Sequence, residues 1–556
     1  LASIITTFLV NLWRRLGNLW RWLLRRRVDY VRIDLGGALP EFAEAPPWWQ
    51  RRLMGRRAPL SMQELRRRLD RIAADPQAKG LLLHIDGLAV GWATLQSLRA
   101  ELLRFRAAGG RVVAYVASLD NASYCAACAA DTIVTVPSAE FRVLGLRLEV
   151  QFLGDALDRI GLRAEVEAVS PYKSAGDQFS RSDMSPEDRA QLERVLDGRY
   201  AALVEMIAEG RAKQPEEVRA LIDAAPMGAQ QALDRGLVDQ LCYEDELEAL
   251  LRVDGRDPVI APWHTARWAL RLPLARAFRR VVAVVPVEGA IVTGGSRSLP
   301  VPLPLLGEEF AGAESVSRAL RQAERSQRVA AVLVYVNSRG GDAFASDLIW
   351  REVLRVGRRK PLVVVMGDVA ASGGYYLAAP AAAIVARPAT LTGSIGVIAT
   401  RFAAADLLGD AGVNTVVLSR GAHTGLGSAT EPLSEAERAA LREEVQRLYA
   451  IFKQRVRDGR GLSEERLEPI AGGRVWLGHE ARDLGLVDLL GGVPEGLLRA
   501  QELAGLPQDR AAPLLLLRGG PPQPPQPFPA ALADLRRLLS DSLRSRLWML
   551  LPYEGL

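Results

Sequence analysis

Lysine, histidine and cysteine are all scarce in this chain. Its 556 residues include five lysines (Lys79, Lys173, Lys213, Lys360, Lys453), four histidines and three cysteines. Three cysteines cannot build a disulfide framework. The Cys125-x-x-Cys128 spacing lies in an alanine-rich run, Ser123 to Ala130, that reads as a packed helix and not as a redox motif. No zinc-finger, helix-turn-helix or RNA-binding pattern is present, and the arginines are scattered or paired with acids along helices. The net charge of +6 therefore does not indicate a nucleic-acid partner. No metal or nucleotide motif is evident, so no cofactor is expected. Because arginine supplies most of the 71 basic side chains, each retained lysine stands out. A guanidinium stays protonated at any usable pH, so arginine could not replace a lysine that serves as a base.

What the chain has instead is an internal duplication. Ala232–Asp239 recurs as Ala481–Asp488, 249 residues later, and the strand-like run Gly80–Asp86 recurs 251 residues on as Ala331–Asn337. Ser170–Arg189 aligns without a gap against Ser419–Arg438. In each copy short apolar strands alternate with helical stretches: 81–85, 94–107, 111–116, 124–130 and 132–136 in the first, and 332–336, 345–356, 362–366, 372 onward and 383–385 in the second. Such a βαβ series predicts an α/β fold, two tandem domains each with a mainly parallel sheet. The boundaries read as a membrane-associating segment (1–30), a first domain (31–255), a connector (256–280), a second domain (281–510), and a tail (511–556).

Both ends are amphipathic. Ile5, Phe8, Leu9, Leu12, Leu16, Leu19, Trp20 and Leu23 form a helical stripe interrupted and followed by arginines. Its uninterrupted apolar part ends by Trp13, short of the roughly 17–25 residues of a spanning helix. A helix lying in a membrane interface fits this pattern, and a helix packed on the protein itself is the alternative. Pro521 to Pro529 is an extended linker. Beyond it Leu532, Leu535, Leu539, Leu543, Leu547 and Leu550 predict one apolar helix face, with membrane, the N-terminal helix or a neighbouring subunit all open as its partner.

The chemistry lies in what each copy keeps. The second has Ala371-Ser372-Gly373-Gly374-Tyr375 after a strong strand, and Asn337-Ser338-Arg339-Gly340-Gly341-Asp342 after the strand before it. A serine at a helix start is either a nucleophile or a simple N-cap. As a nucleophile it would have the Gly373 amide beside it, with a second oxyanion donor from Gly340 or Gly341. The first copy lacks both glycine loops, reading Asp86-Gly87-Leu88-Ala89 and Asp120-Asn121-Ala122-Ser123. Joint loss in one copy and joint retention in the other mark the two loops as serving one purpose. The first copy keeps Tyr172-Lys173-Ser174-Ala175 where the second has Ala422. A lysine can act as a base once burial leaves it neutral, although most lysines are solvated surface charges. Among the histidines only His423, one place from the position matching Lys173, rivals it.

These motifs, with Leu391-Thr392-Gly393-Ser394-Ile395-Gly396, closely resemble the signal peptide peptidase A family in its long, duplicated form, also called protease IV. The resemblance covers roughly residues 55–500. It implies tandem ClpP/crotonase-like domains, a serine endopeptidase with Ser372 as nucleophile and Lys173 as general base, and Ser394 orienting the lysine. It further implies apolar released signal peptides as substrates, a homotetramer, and association with the bacterial inner membrane. Arg339 stands where the family carries proline, and the N-terminal segment is shorter and richer in arginine than the family's spanning anchor. Two other classes compete: a crotonase-fold acyl-CoA enzyme, which shares the paired-loop oxyanion hole without a nucleophilic serine, and a non-catalytic membrane scaffold.

Overall fold

A computed structural model describes residues 2–23, 27–43, 59–252, 255–274, 280–303, 307–520 and 547–550. The chain forms two compact units, Leu1–Arg147 with Gly198–Arg279, and Leu148–Asp197 with Arg280–Leu556. This division differs from the sequence boundaries, which gave 31–255 to the first domain. Leu148–Asp197 packs with the second unit because its strand Arg163–Ala168 pairs antiparallel with Ile398–Ala403 along its whole length. Val195 adds an apolar anchor, buried among Ala371, Leu391, Val475 and Leu477.

In the first unit a six-stranded parallel sheet runs in the order Ile260–Pro262, Tyr30–Gly37, Gly80–Leu88, Arg111–Val116, Thr132–Thr135, Gln240–Leu241. The apolar strand runs seen in the sequence reflect burial on both faces. Leu81, Leu83, Ile85, Val112 and Ala114 enter one core, while Leu82, Val113 and Tyr115 enter the layer on the other side. Cys125 and Cys128 are buried free thiols in that first core, and burial raises both pKa values, that of Cys128 to about 11. They fill space and are not poised for redox chemistry.

The second unit repeats the parallel arrangement through Leu362–Ala371, Val329–Ser338 and Val281–Glu288, with Leu391–Gly393 and Ala383–Ala386 on the far side of the first of these. A separate seven-stranded sheet runs Arg297–Leu303, Gly307–Gly312, Ala290–Val292, Gly340–Asp342, Leu547–Leu550, Ile398–Ala403, Arg163–Ala168. Its fifth strand corrects the sequence reading of the tail. Leu547–Leu550 is extended, not helical, because it is held by antiparallel partners on both sides. The linker at 521–529 and Leu532, Leu535, Leu539 and Leu543 lie outside the described residues.

The duplication is legible in individual bonds. Tyr124 donates its hydroxyl to Leu237 C=O at 2.7 Å, and Tyr375 donates to Leu486 C=O at 2.9 Å. Asp239 accepts from Ile133 N–H, and Asp488 from Ile384 N–H, each at 2.7 Å. Each aspartate also pairs with an arginine of a long helix, Arg211 or Arg460.

The N-terminal helix Ala2–Leu23 docks by its polar side. Asn18 exchanges two hydrogen bonds with Leu272, and Arg14 and Arg21 donate to the carbonyls of Pro273 and Trp268. Its apolar residues Phe8, Leu9, Leu12, Trp13, Leu16, Leu19 and Trp20 face outward. Among the described residues no helix is long and apolar enough to cross a membrane.

The Tyr124 bond is fully buried, so Tyr124→Phe leaves a carbonyl without its partner. The variant is expected to lose about 1–3 kcal/mol in denaturant unfolding while peptide hydrolysis, measured on the folded protein, stays at the wild-type rate.

Candidate active site

Ser372 closes the Leu362–Ala371 strand and opens the short helix Gly373–Ala378. Its backbone is held at φ 55° and ψ −116°, a region that costs an L-residue about 1–3 kcal/mol. The adjoining strand enforces it, since Ser372 N–H donates to Gly393 C=O at 2.8 Å. The side chain makes no capping bond to its helix. Instead the hydroxyl lies 2.7 Å from Lys173 Nζ.

Three oxygens surround that nitrogen: Ser372 Oγ at 2.7 Å, Ser394 Oγ at 2.9 Å and Ser394 C=O at 3.1 Å. None belongs to a carboxylate. Lys173, Ser372 and Ser394 are all fully buried. Burial pushes the Lys173 pKa well below its ordinary 10.5, because nothing in its shell repays the charged form for lost water. A neutral amine has two N–H donors and one lone pair. Both N–H groups can serve the Ser394 oxygens, which leaves the lone pair to accept the Ser372 proton. Ser394 is itself set by a positive φ of 51° and by donating its N–H to Arg474 C=O at 2.6 Å.

The lysine reaches this point because its loop is clamped at both ends. Ser174 Oγ donates to Asp188 at 2.6 Å, and Ser170 Oγ donates to Gly472 C=O. Gly473, at φ 89°, lies directly against the lysine backbone: a Cβ there would come within 2.7 Å of Lys173 Cβ and 2.8 Å of its Cα and N. Arg474 stacks its guanidinium 3.9 Å from the centre of the Tyr172 ring. The sequence reading missed Gly472 and Gly473. The first copy has Asp223 and Ala224 at the matching positions, so the comparison that exposed the other glycine loops contained this signal too.

Gly373 lies against the Gly340–Gly341 turn. A Cβ on Gly373 would lie 3.2 Å from both Gly340 Cα and Gly341 N. The Gly340 amide donates to Ser338 Oγ at 3.1 Å, so it is engaged by the protein's own hydroxyl. All six residues singled out in the sequence thus lie in the second unit. No histidine is among the side-chain partners of Lys173 described above. His423 is exposed at the start of the Thr424–Gly427 turn, and His479 meets Pro388 C=O at 3.2 Å. His84 stacks on Tyr115 in the first unit, which also contains the exposed His264.

Comparison with known families gives two matches to the same one, Peptidase family S49, at residues 104–255 and 355–507. The chain belongs to peptidase family S49. Lys173 lies in the first matched segment, and Ser372, Ser394 and Gly473 in the second. The chloroplastic serine protease SPPA of Arabidopsis thaliana is 32% identical over 468 residues, 82% of this chain and 68% of that protein. Protease 4 of Haemophilus influenzae is 32% identical over 458 residues, 79% of this chain and 72% of that one. A protein of Enterococcus faecium bearing the name signal peptide peptidase SppA is 30% identical over 216 residues, 39% of this chain and 61% of its own length. This S49 chain is a serine peptidase with two family copies in an α/β fold, and neither the acyl-CoA enzyme nor the scaffold reading is favoured.

Two measurements follow from the lysine's surroundings. Between the lowered pKa and about 10.5 the unfolded chain binds a proton at Lys173 that the folded chain does not. Stability should therefore rise with pH there, by up to about 1.4 kcal/mol per unit for one proton. Lys173→Met is expected to remove that slope from unfolding curves taken at a series of pH values. Gly473→Ala forces the lysine loop away, and a displacement near 1 Å costs about a hundredfold in rate. A Gly473→Ala protein that hydrolyses peptides at the wild-type rate would show that the clamp is not needed.

Proposed function

We propose that Ser372 is the nucleophile and Lys173 the general base of a Ser/Lys dyad that cleaves apolar peptides, released signal peptides among them, at a membrane surface. The observation that carries the reading is the 2.7 Å contact between a buried, carboxylate-free lysine and a serine whose hydroxyl caps nothing. Neutral Lys173 takes the Ser372 proton as Oγ attacks the peptide carbonyl carbon. The tetrahedral oxyanion falls beside the Gly373 amide and the Gly340–Gly341 turn, where backbone N–H groups stabilise the developing charge. The new ammonium then gives its proton to the departing amine, leaving an ester on Ser372. With the amine neutral again, a water enters and loses its proton to Lys173 as its oxygen adds to the ester carbon. The carbon–Oγ bond then breaks, Ser372 Oγ takes the proton back from Lys173, and the acid product leaves. Ser394 holds Nζ through two oxygens, which keeps its remaining position, lone pair or N–H, directed at Ser372 throughout.

The outward apolar stripe of the N-terminal helix supports the membrane part of the reading. Two tryptophans and four leucines face solvent on a helix whose polar side is already engaged, and such a face gains by burial in a lipid interface. The relative named for signal peptide peptidase activity supports apolar leader peptides as the substrate class. By the same family resemblance the working form is a homotetramer.

A serine-reactive phosphonate tests the dyad. Wild-type protein is expected to be labelled at Ser372, with Ser372→Ala unlabelled, folded and inactive. His423→Ala should keep the wild-type rate. A Ser372→Ala protein that still hydrolyses peptides, or a His423→Ala protein slowed more than about a hundredfold, within the range for a lost general base, would overturn it.

A further inference from the structure

The N-terminal helix carries arginines to a place where arginines already gather. Arg14, Gly17, Asn18 and Arg21 share one face of Ala2–Leu23 through spacings of three and four. That face meets the end of the helix Trp263–Ala269 and the turn that follows it. There Arg14 Nη1 donates to Pro273 C=O at 2.5 Å, Arg21 Nε to Trp268 C=O at 3.1 Å and Asn18 Nδ2 to Leu272 C=O at 3.0 Å. Arg71, from the helix Met62–Ala73, reaches the same turn and donates to the carbonyls of Arg267 and Leu270. The Arg267 guanidinium lies 5.0 Å from the centre of the Trp268 ring. All these residues belong to the first unit.

A helix C-terminus carries a partial negative charge, so one cation there needs no other partner. Four guanidiniums exceed it. Each has more N–H groups than these bonds use, and among the described residues none of the four forms an ion pair with a carboxylate. Glu64 is taken by Arg68 and Asp70 by Arg104, while Asp75 accepts from the N–H groups of Gln77 and Arg271. Burial, and then the charges of Arg21, Arg267 and Arg14, hold the Arg71 guanidinium below its usual range. Arg71 Nε is buried and meets no acceptor among the described residues. Like charges gathered in this way repel, and an anion that takes the unused N–H groups stabilises them. Gly17 makes room for one of the four: a Cβ there would lie 2.9 Å from Arg21 Nη1 and come within 4 Å of no part of the Trp268–Pro273 turn. Beside this seam the surface is apolar, with Trp13, Leu16, Trp20, Trp268 and Leu274 all exposed.

We infer that the seam between Ala2–Leu23 and the Trp268–Pro273 turn binds the phosphate of an anionic phospholipid, held by Arg14, Arg21, Arg71 and Arg267, with its acyl chains along the exposed tryptophans and leucines. The inference rests on the membrane part of the proposed function and adds the headgroup that the protein selects. A free anion would use only the arginines, whereas a molecule with phosphate at one end and hydrocarbon at the other uses both surfaces. The planar fork of arginine matches a pair of phosphate oxygens. Net negative charge on the lipid matters, because a zwitterionic headgroup brings its own cation to the phosphate.

The test is flotation of the full chain with vesicles of phosphatidylcholine alone, or with about 30% phosphatidylglycerol. The mixed vesicles are expected to bind at least about tenfold more tightly, from the gain each arginine makes near an anionic surface. Arg267→Gln, at an exposed position, should lose about fivefold on the mixed vesicles. Arg267→Lys keeps the charge but not the fork, and should lose nearly as much. Gly17→Ala leaves every charge in place and favours the helix, yet it pushes Arg21 out of the seam and should also weaken binding. Equal binding to both kinds of vesicle overturns the inference and leaves membrane attachment standing. Wild-type binding by both Arg267→Lys and Gly17→Ala would mean that charge alone is read, and overturns it as well. Lost self-association in Arg267→Gln with vesicle binding unchanged would put a second copy of the chain on this face instead. Binding to neither vesicle removes the membrane reading together with the inference, and the dyad, tested by phosphonate labelling, is untouched by any of these results.

Discussion

An amine can take a proton only if it does not already hold one. At neutral pH a solvated lysine is an ammonium, so everything about this site follows from keeping Lys173 dry and without an acid beside it. Its three oxygen partners are hydroxyls and a carbonyl. Each is polar enough to satisfy an N–H group and too weak to restore the charge. The clamp of Ser170, Ser174, Gly472 and Gly473 holds the lysine backbone close to a neighbouring loop, and burial of the whole segment removes water. The strained backbone of Ser372 is the counterpart on the other side. It turns the hydroxyl away from its own helix and towards the nitrogen.

The two copies show which parts of the frame are structural. Tyr124 and Tyr375, Asp239 and Asp488, and their paired arginines make the same bonds in both units. Those bonds tie the helix after the third strand to the loop that closes the sheet in both copies. The glycine turns and the strained serine occur in one copy only. Their energetic cost is borne in the copy where Ser372 meets Lys173, and the other copy has ordinary residues there such as Asp120, whose carboxylate caps its helix through Ser123 N–H at 2.9 Å.

Much of this is legible in the sequence. Alternating apolar strands and helices predicted the parallel sheets, because strands buried on both faces cannot be built from polar residues. Comparing the copies picked out Ser372, Gly373, Gly340, Gly341 and Lys173, and the family motif added Ser394. Two features escaped for the same physical reason. Leu547 and Leu550 continue a heptad-like leucine spacing, and only strands more than a hundred residues away decide that this short apolar run is extended. The allegiance of Leu148–Asp197 to the second unit likewise depends on distant pairing with Ile398–Ala403. Local pattern reports what a segment can form, and long-range partners choose among the options.

Lys173 and Ser372 are 199 residues apart in sequence, and the glycines that seat the lysine come later still. During synthesis Lys173 therefore emerges well before Ser372, and Ser372 before Gly473. The pair is assembled only after Gly473 has emerged and the second unit has closed around the returning segment. The order of translation thus delays the meeting of these two side chains until late in the making of the second unit.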